Sequence, residues 1–149
     1  MGLEVTSLSC NHILSLDDRA ESQLVNDTLY NYPIGLLDFE LGCTLPGASA
    51  TVRVFFDADY SSTSNTWVFR KWDGTQWLTV SPQPVIAPYT FITGPLSGMT
   101  VTTVTFSQTD GGNNDSDNSL NSTIRDPIGP AVLAPIVTPL PSGGGGGGG

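Results

Sequence analysis

Residues 109–127 (TDGGNNDSDNSLNSTIRDP) concentrate oxygen-bearing side chains, among them Asp110, Asn113, Asp115, Asp117, Ser119, Asn121 and Asp126. Calcium takes about six to eight oxygen ligands at adaptable geometry, and alternate side chains of a tight loop can converge on one ion. If Asp115 is the first position of such a loop, Asp117, Ser119 and Asn121 take the third, fifth and seventh, and Asp126 the twelfth. That is the order of an EF-hand loop, but Leu120 stands where such a loop needs glycine, and no helical pattern flanks it. The expected ligands are Asp110, Asn113, Asp115, Asp117 and Asp126, with backbone carbonyls completing the shell. Aspartates this close repel one another without a cation. The competing reading is a solvated loop of Asx turns, which Asn, Asp and Gly favour in any case. Asp38 is a lesser candidate, because a carboxylate between Leu37 and Phe39 needs a partner if it is buried.

A second constellation is aromatic. Trp72 and Trp77, with Tyr60, could stack on sugar rings; the alternative is ordinary packing of a β-hairpin. Catalytic chemistry is hard to assemble. His12 is the single histidine, no Gly-x-Ser-x-Gly is present, and nothing fixes the separation of Asp57 and Asp59. No catalytic residue is assigned and the chain is not expected to be an enzyme, although Asp126-Pro127 is a chemically labile bond type. Cys10 and Cys43 are a candidate disulfide, with two unpaired thiols as the alternative, since spacing alone does not decide. The glycosylation sequons at Asn26, Asn114 and Asn121 matter only in a glycosylating host.

The elements that would position these residues read as strands. In residues 34–41 (IGLLDFEL), period-two alternation puts Leu37, Phe39 and Leu41 on one face. Pro46-Gly47 marks a turn. Residues 50–57 (ATVRVFFD) form the next strand, with Val52 and Val54 inward and Thr51 and Arg53 outward. Residues 66–80 (TWVFRKWDGTQWLTV) predict a hairpin with a two-residue type I′ turn at Asp73-Gly74, pairing Arg70 with Trp77, Phe69 with Leu78 and Trp67 with Val80. Trp67, Phe69, Leu78 and Val80 would then face the core. Pro82, Pro84, Pro88 and Pro95 limit the next segment to a short edge strand at Phe91 and Ile92. Residues 100–108 (TVTTVTFSQ) are a further strand, and residues 132–137 a last edge strand after Pro127 and Pro130. Residues 1–30 have weak periodicity and could hold a helical turn or an edge strand. Together these elements predict an all-β fold, an antiparallel β-sandwich of immunoglobulin-like type with six to eight strands. The chain divides into an N-terminal segment (1–30), the sandwich (31–137) and a Pro/Gly-rich flexible linker (138–149).

Composition narrows the function classes. The 149 residues suit one domain with flexible ends. Only 13% are charged, with five Lys or Arg against fourteen Asp or Glu and a net charge of -9. Clustered cations, which nucleic acid and anionic lipid both require, are absent. No apolar run is long enough to span a membrane. No signal-peptide pattern opens the chain, and Met1-Gly2-Leu3 reads as an added start, before which any natural N-terminus could have been cut away.

Several motifs carry a family resemblance. Thr109-Asp110-Gly111-Gly112, then Asp115, Asp117 and the run Asp126-Pro127-Ile128-Gly129-Pro130-Ala131, resemble the close of the bacterial choice-of-anchor U domain. Pro33-Ile34-Gly35-Leu36-Leu37-Asp38-Phe39, the Leu45-Pro46-Gly47-Ala48 turn and the aromatic hairpin are similar to that family as well. Asn121, Ser122 and Arg125 depart from it, where a smaller, more apolar run is expected. The resemblance implies a domain near the C-terminus of an exported protein, just before an anchoring signal. Pro141-Ser142 and the seven glycines that follow resemble the start of a GlyGly-type sorting signal cut by a rhomboid-family protease, with an added linker as the alternative. The expected function is an exported or cell-surface structural or adhesion module, stabilised by calcium. Its partners would be a surface protein, a glycan or copies of itself. The alternatives are a carbohydrate-binding module using Tyr60, Trp72 and Trp77, and a subunit of a self-assembling surface filament.

Overall fold

A computed structural model describes residues 1–135. The 138–149 linker, residues 136–137 of the last predicted strand and the glycine run lie outside the described residues. Ten strands are present: β1 (Gly2–Thr6), β2 (His12–Arg19), β3 (Tyr30–Asn31), β4 (Leu36–Gly42), β5 (Ser49–Phe55), β6 (Val68–Trp72), β7 (Trp77–Thr79), β8 (Val85–Thr90), β9 (Thr100–Thr109) and β10 (Thr123–Leu133). They form two antiparallel sheets, one of four strands in the order β1-β5-β9-β8 and one of six. The six-stranded sheet runs β2-β4-β10-β6-β7, with β3 added along the end of β10. The expected antiparallel sandwich is therefore present, with more strands than six to eight. The extra ones come from residues 1–30, which give an edge strand to each sheet. β2 escapes a periodicity reading because seven of its eight residues are exposed and alternate with nothing.

The core follows the alternation. Leu37, Phe39, Leu41, Phe69, Ile124 and Ile128 from one sheet meet Val52, Val54, Val104 and Phe106 from the other, all buried. Phe39 and Phe106 bridge the sheets with ring centroids 6.3 Å apart. Burying each such side chain contributes about 1.5–3 kcal/mol.

Three local expectations are corrected. First, the hairpin register is slipped by two residues: Lys71 pairs with Leu78, Trp72 with Trp77 and Arg70 with Thr79. The cause is Asp73, whose Oδ1 accepts the backbone N–H groups of Thr75 and Gln76 and the Thr75 hydroxyl, closing a four-residue loop instead of a two-residue turn. A slip of two keeps every side chain on its own face, so Trp67, Phe69 and Val80 are still buried. Second, the edge strand is β8 and not Phe91-Ile92. Its Pro88 is tolerated because, among the described residues, β8 has only β9 as a neighbour. Third, β10 runs straight through Pro127 and Pro130, and it is central. Each proline lies where one neighbour is missing: β6 pairing begins at Ile128, and β4 pairing has ended there. The absent N–H groups therefore cost few ladder bonds. Between them Gly129 lets the chains approach; a Cβ there would lie 2.5 Å from the Gly35 carbonyl oxygen.

Candidate functional site

The acidic loop closes one end of the sandwich, between β9 and β10. Local hydrogen bonds shape it: Gly112 N–H donates to Thr109 O, Asp115 N–H to Gly112 O and Asn118 N–H to Asp115 O. Asp117 Oδ1 accepts the Ser119 N–H at 2.8 Å, and Asn121 Oδ1 accepts the Thr123 N–H at 3.0 Å. These are the Asx turns that such residues favour.

The five predicted ligands separate into two groups. Asp117 and Asn113 have exposed side chains. Asp110, Asp115 and Asp126 are buried, at 2%, 0% and 0% exposure. Among the described residues no three His, Cys, Asp or Glu are grouped to hold one metal ion. The buried carboxylates face donors supplied by the chain itself. Asp110 Oδ2 accepts N–H groups from Gly47 and Ser122, both at 2.9 Å, and Oδ1 accepts that of Asn121 at 3.2 Å. One carboxylate thus ties the β4–β5 turn to the start of β10. Burial alone would raise its pKa, but these backbone donors outweigh it and hold the carboxyl below its ordinary value. Asp115 accepts the Gly111 N–H at 2.8 Å and the Arg125 N–H at 3.1 Å. There burial prevails and the pKa is raised.

Asp126 is different, because its donors are side chains. It lies on the inner face of β10, where Gln108 Nε2 from the opposite sheet donates to its Oδ2. The Ser116 hydroxyl donates to the Trp72 carbonyl at 3.0 Å and stands 3.4 Å from Asp126 Oδ1. Lys71 Nζ lies 3.9 Å from the same oxygen, with Lys71 1% exposed. Burial pushes the Asp126 carboxyl up to about 7 against the opposing pull of Lys71, Gln108 and Ser116. Burial likewise lowers the Lys71 ammonium, against the charges of Asp126, Asp115 and Asp73. Among the described residues Lys71 Nζ has one hydrogen bond, to the Asn113 carbonyl at 3.2 Å. Asn113 thus contributes its backbone oxygen and not its side chain.

Sequence reasoning missed Lys71, although the signal was present: Phe69 faces inward, so the residue two further along β6 must do so too. It also missed a second buried pair, Arg70 Nε to Asp27 Oδ2 at 2.9 Å. Tyr32 donates its hydroxyl to the same Asp27 oxygen. Asp38, the lesser ligand candidate, is buried and has its partner in Arg19 at 2.9 Å.

The aromatic candidates do not share one surface. Tyr60 packs with Phe56 and Trp67, at 6.2 and 5.5 Å between centroids. Trp72 and Trp77 are 5.4 Å apart but tilted by 57°, and both are half-buried. Trp77 donates its indole N–H to the Val25 carbonyl and packs on Tyr32 at 4.9 Å. Stacking on the face of a sugar ring favours coplanar, open aromatic faces, and Trp72 and Trp77 are neither coplanar nor fully open.

Cys10 and Cys43 form a disulfide, with no other cysteine in the chain. It joins the β1–β2 connection to the residue after β4. No helix among the described residues is long and apolar enough to cross a membrane. Comparison with family models, with curated proteins and with solved structures finds no match.

Proposed function

We propose that this chain is a non-catalytic structural or adhesion module of an exported protein, presented at a bacterial cell surface beside a C-terminal anchoring signal. The observation that carries the reading is the Cys10–Cys43 disulfide, since such bonds persist in oxidising compartments and are rare in reducing ones. The acidic loop supports it. Its buried carboxylates hold turns together through backbone amides, which suits a part whose task is to keep its shape. On this reading calcium is not required for the fold. The exposed edge of β2, with Ile13, Leu14 and Leu16 open to solvent, offers a place for another surface protein or a second copy to add a strand.

The test is thiol labelling under denaturing conditions of protein exported to an oxidising compartment, beside protein made in a reducing cytosol. Neither cysteine of the exported, folded protein should label, and both should label in the cytosolic sample. Exported protein that is folded and protease-resistant with two free thiols would contradict the reading.

A further inference from the structure

We propose that Lys71 and Asp126 become joined by a self-formed amide bond between Lys71 Nζ and Asp126 Cγ, a covalent cross-link between β6 and β10 inside the sandwich. The strands set the two residues side by side. Lys71 pairs with Ile128, and Asp126 lies two residues along β10 on the same inner face, the diagonal position within reach of a long side chain. Nζ and Oδ1 are already 3.9 Å apart, with both residues excluded from water.

The inventory of partners fits an amide better than an ion pair. An ammonium carries three donors, yet among the described residues Nζ has one hydrogen bond, to Asn113 O. A buried ion pair offsets its desolvation only with close geometry and full hydrogen bonding, and neither holds at 3.9 Å. An amide has one N–H, and the Asn113 carbonyl is its acceptor. It has one carbonyl oxygen, and Gln108 Nε2 is its donor.

The surroundings supply each part of the step. Burial favours the uncharged amine, which is the nucleophile, and the uncharged carboxyl, which is the electrophile. The amine attacks Cγ and a C–N bond forms. Gln108 Nε2 stabilises the oxyanion that develops at Oδ2 in the tetrahedral intermediate. Asp115 is wholly buried and its charge acts on both Lys71 and Asp126. A proton passes from the attacking nitrogen to the departing oxygen. A C–O bond of the carboxyl breaks and one water leaves, with one hydrogen from the amine and one from the carboxyl. Nothing is oxidised or reduced, and no co-reactant is needed. Pro127 closes a competing route, because it has no N–H to attack the Asp126 side chain.

The test is the intact mass of the full chain, reduced and denatured, followed by peptide mapping. The wild type is expected to be lighter than its sequence by one water, with a branched peptide joining Lys71 to Asp126. Lys71→Met and Asp126→Ala should both have full sequence mass. Folded wild type at full mass, or a water loss mapping to any other pair of residues, overturns the proposal. The wild-type measurement decides by itself if either variant fails to fold.

Discussion

Asp110→Ala is expected to lower the free energy of unfolding by about 4 kcal/mol, read from urea or thermal unfolding. The substitution removes the shared acceptor of the Gly47, Asn121 and Ser122 N–H groups, three part-buried hydrogen bonds made to a carboxylate that is itself buried. A hydrogen bond to a charged acceptor is worth about 1.5–3 kcal/mol, and a buried donor left unpaired costs about 1–3. Asp110→Asn retains one oxygen and turns an NH2 group toward the remaining donors, so it should lose a similar fraction or more of the same stability. The pH dependence has a definite sign. The folded pKa of Asp110 lies below its unfolded value. Its contribution is therefore full above the unfolded carboxylate value, about 3.9, and is lost as pH falls through the folded value. The wild type should lose stability there more steeply than Asp110→Ala. A change under about 1 kcal/mol would mean that loop and turn stay joined without this carboxylate.

Removing the disulfide is the second large effect. The bond spans a sequence separation of 33 residues, which in the chain-entropy model corresponds to about 3–4 kcal/mol of lost unfolded-state freedom. Cys10→Ser/Cys43→Ser, or the wild type in reductant, should melt roughly 10 °C lower than the oxidised wild type. The cause is local as well as entropic. β1 belongs to one sheet and β2 to the other, and the bond fixes the crossover between them to the end of β4. With the bond gone, the edge strands should be the first to exchange their amide hydrogens. Equal melting temperatures with and without reductant would show that packing alone holds the N-terminal strands.

The legible parts of this fold are those where one residue type alternates with another. Leu37, Phe39, Leu41, Val52 and Val54 declare their faces because polar or outward-facing neighbours separate them. β2 has no such contrast, since Ile13, Leu14 and Leu16 are as exposed as the residues between them. Pro127 and Pro130 read as punctuation because a proline's effect depends on which neighbour its nitrogen faces, and that is fixed only when the sheet is assembled. The hairpin slip has the same origin: Asp73-Gly74 suits a two-residue turn, but the Asp73 carboxylate gains three donors by taking a longer one. In the acidic loop, the identity of the important carboxylates was visible and that of their partners was not. Backbone amides carry no sequence signal, so the donors that meet Asp110 and Asp115 could not be read there. Lys71 was concealed by its own charge, although its place in the alternation put it inside.

The most direct test of the claim that the loop carboxylates are satisfied by the chain itself is thermal unfolding of the oxidised protein in excess calcium and in chelator. The expected result is one and the same melting temperature in both. A rise of several degrees in calcium, abolished in Asp115→Ala/Asp117→Ala, would contradict it. Ligand at a hundred times its dissociation constant adds about 2.7 kcal/mol to any folded state that binds it, and such a rise would make the acidic loop a metal site.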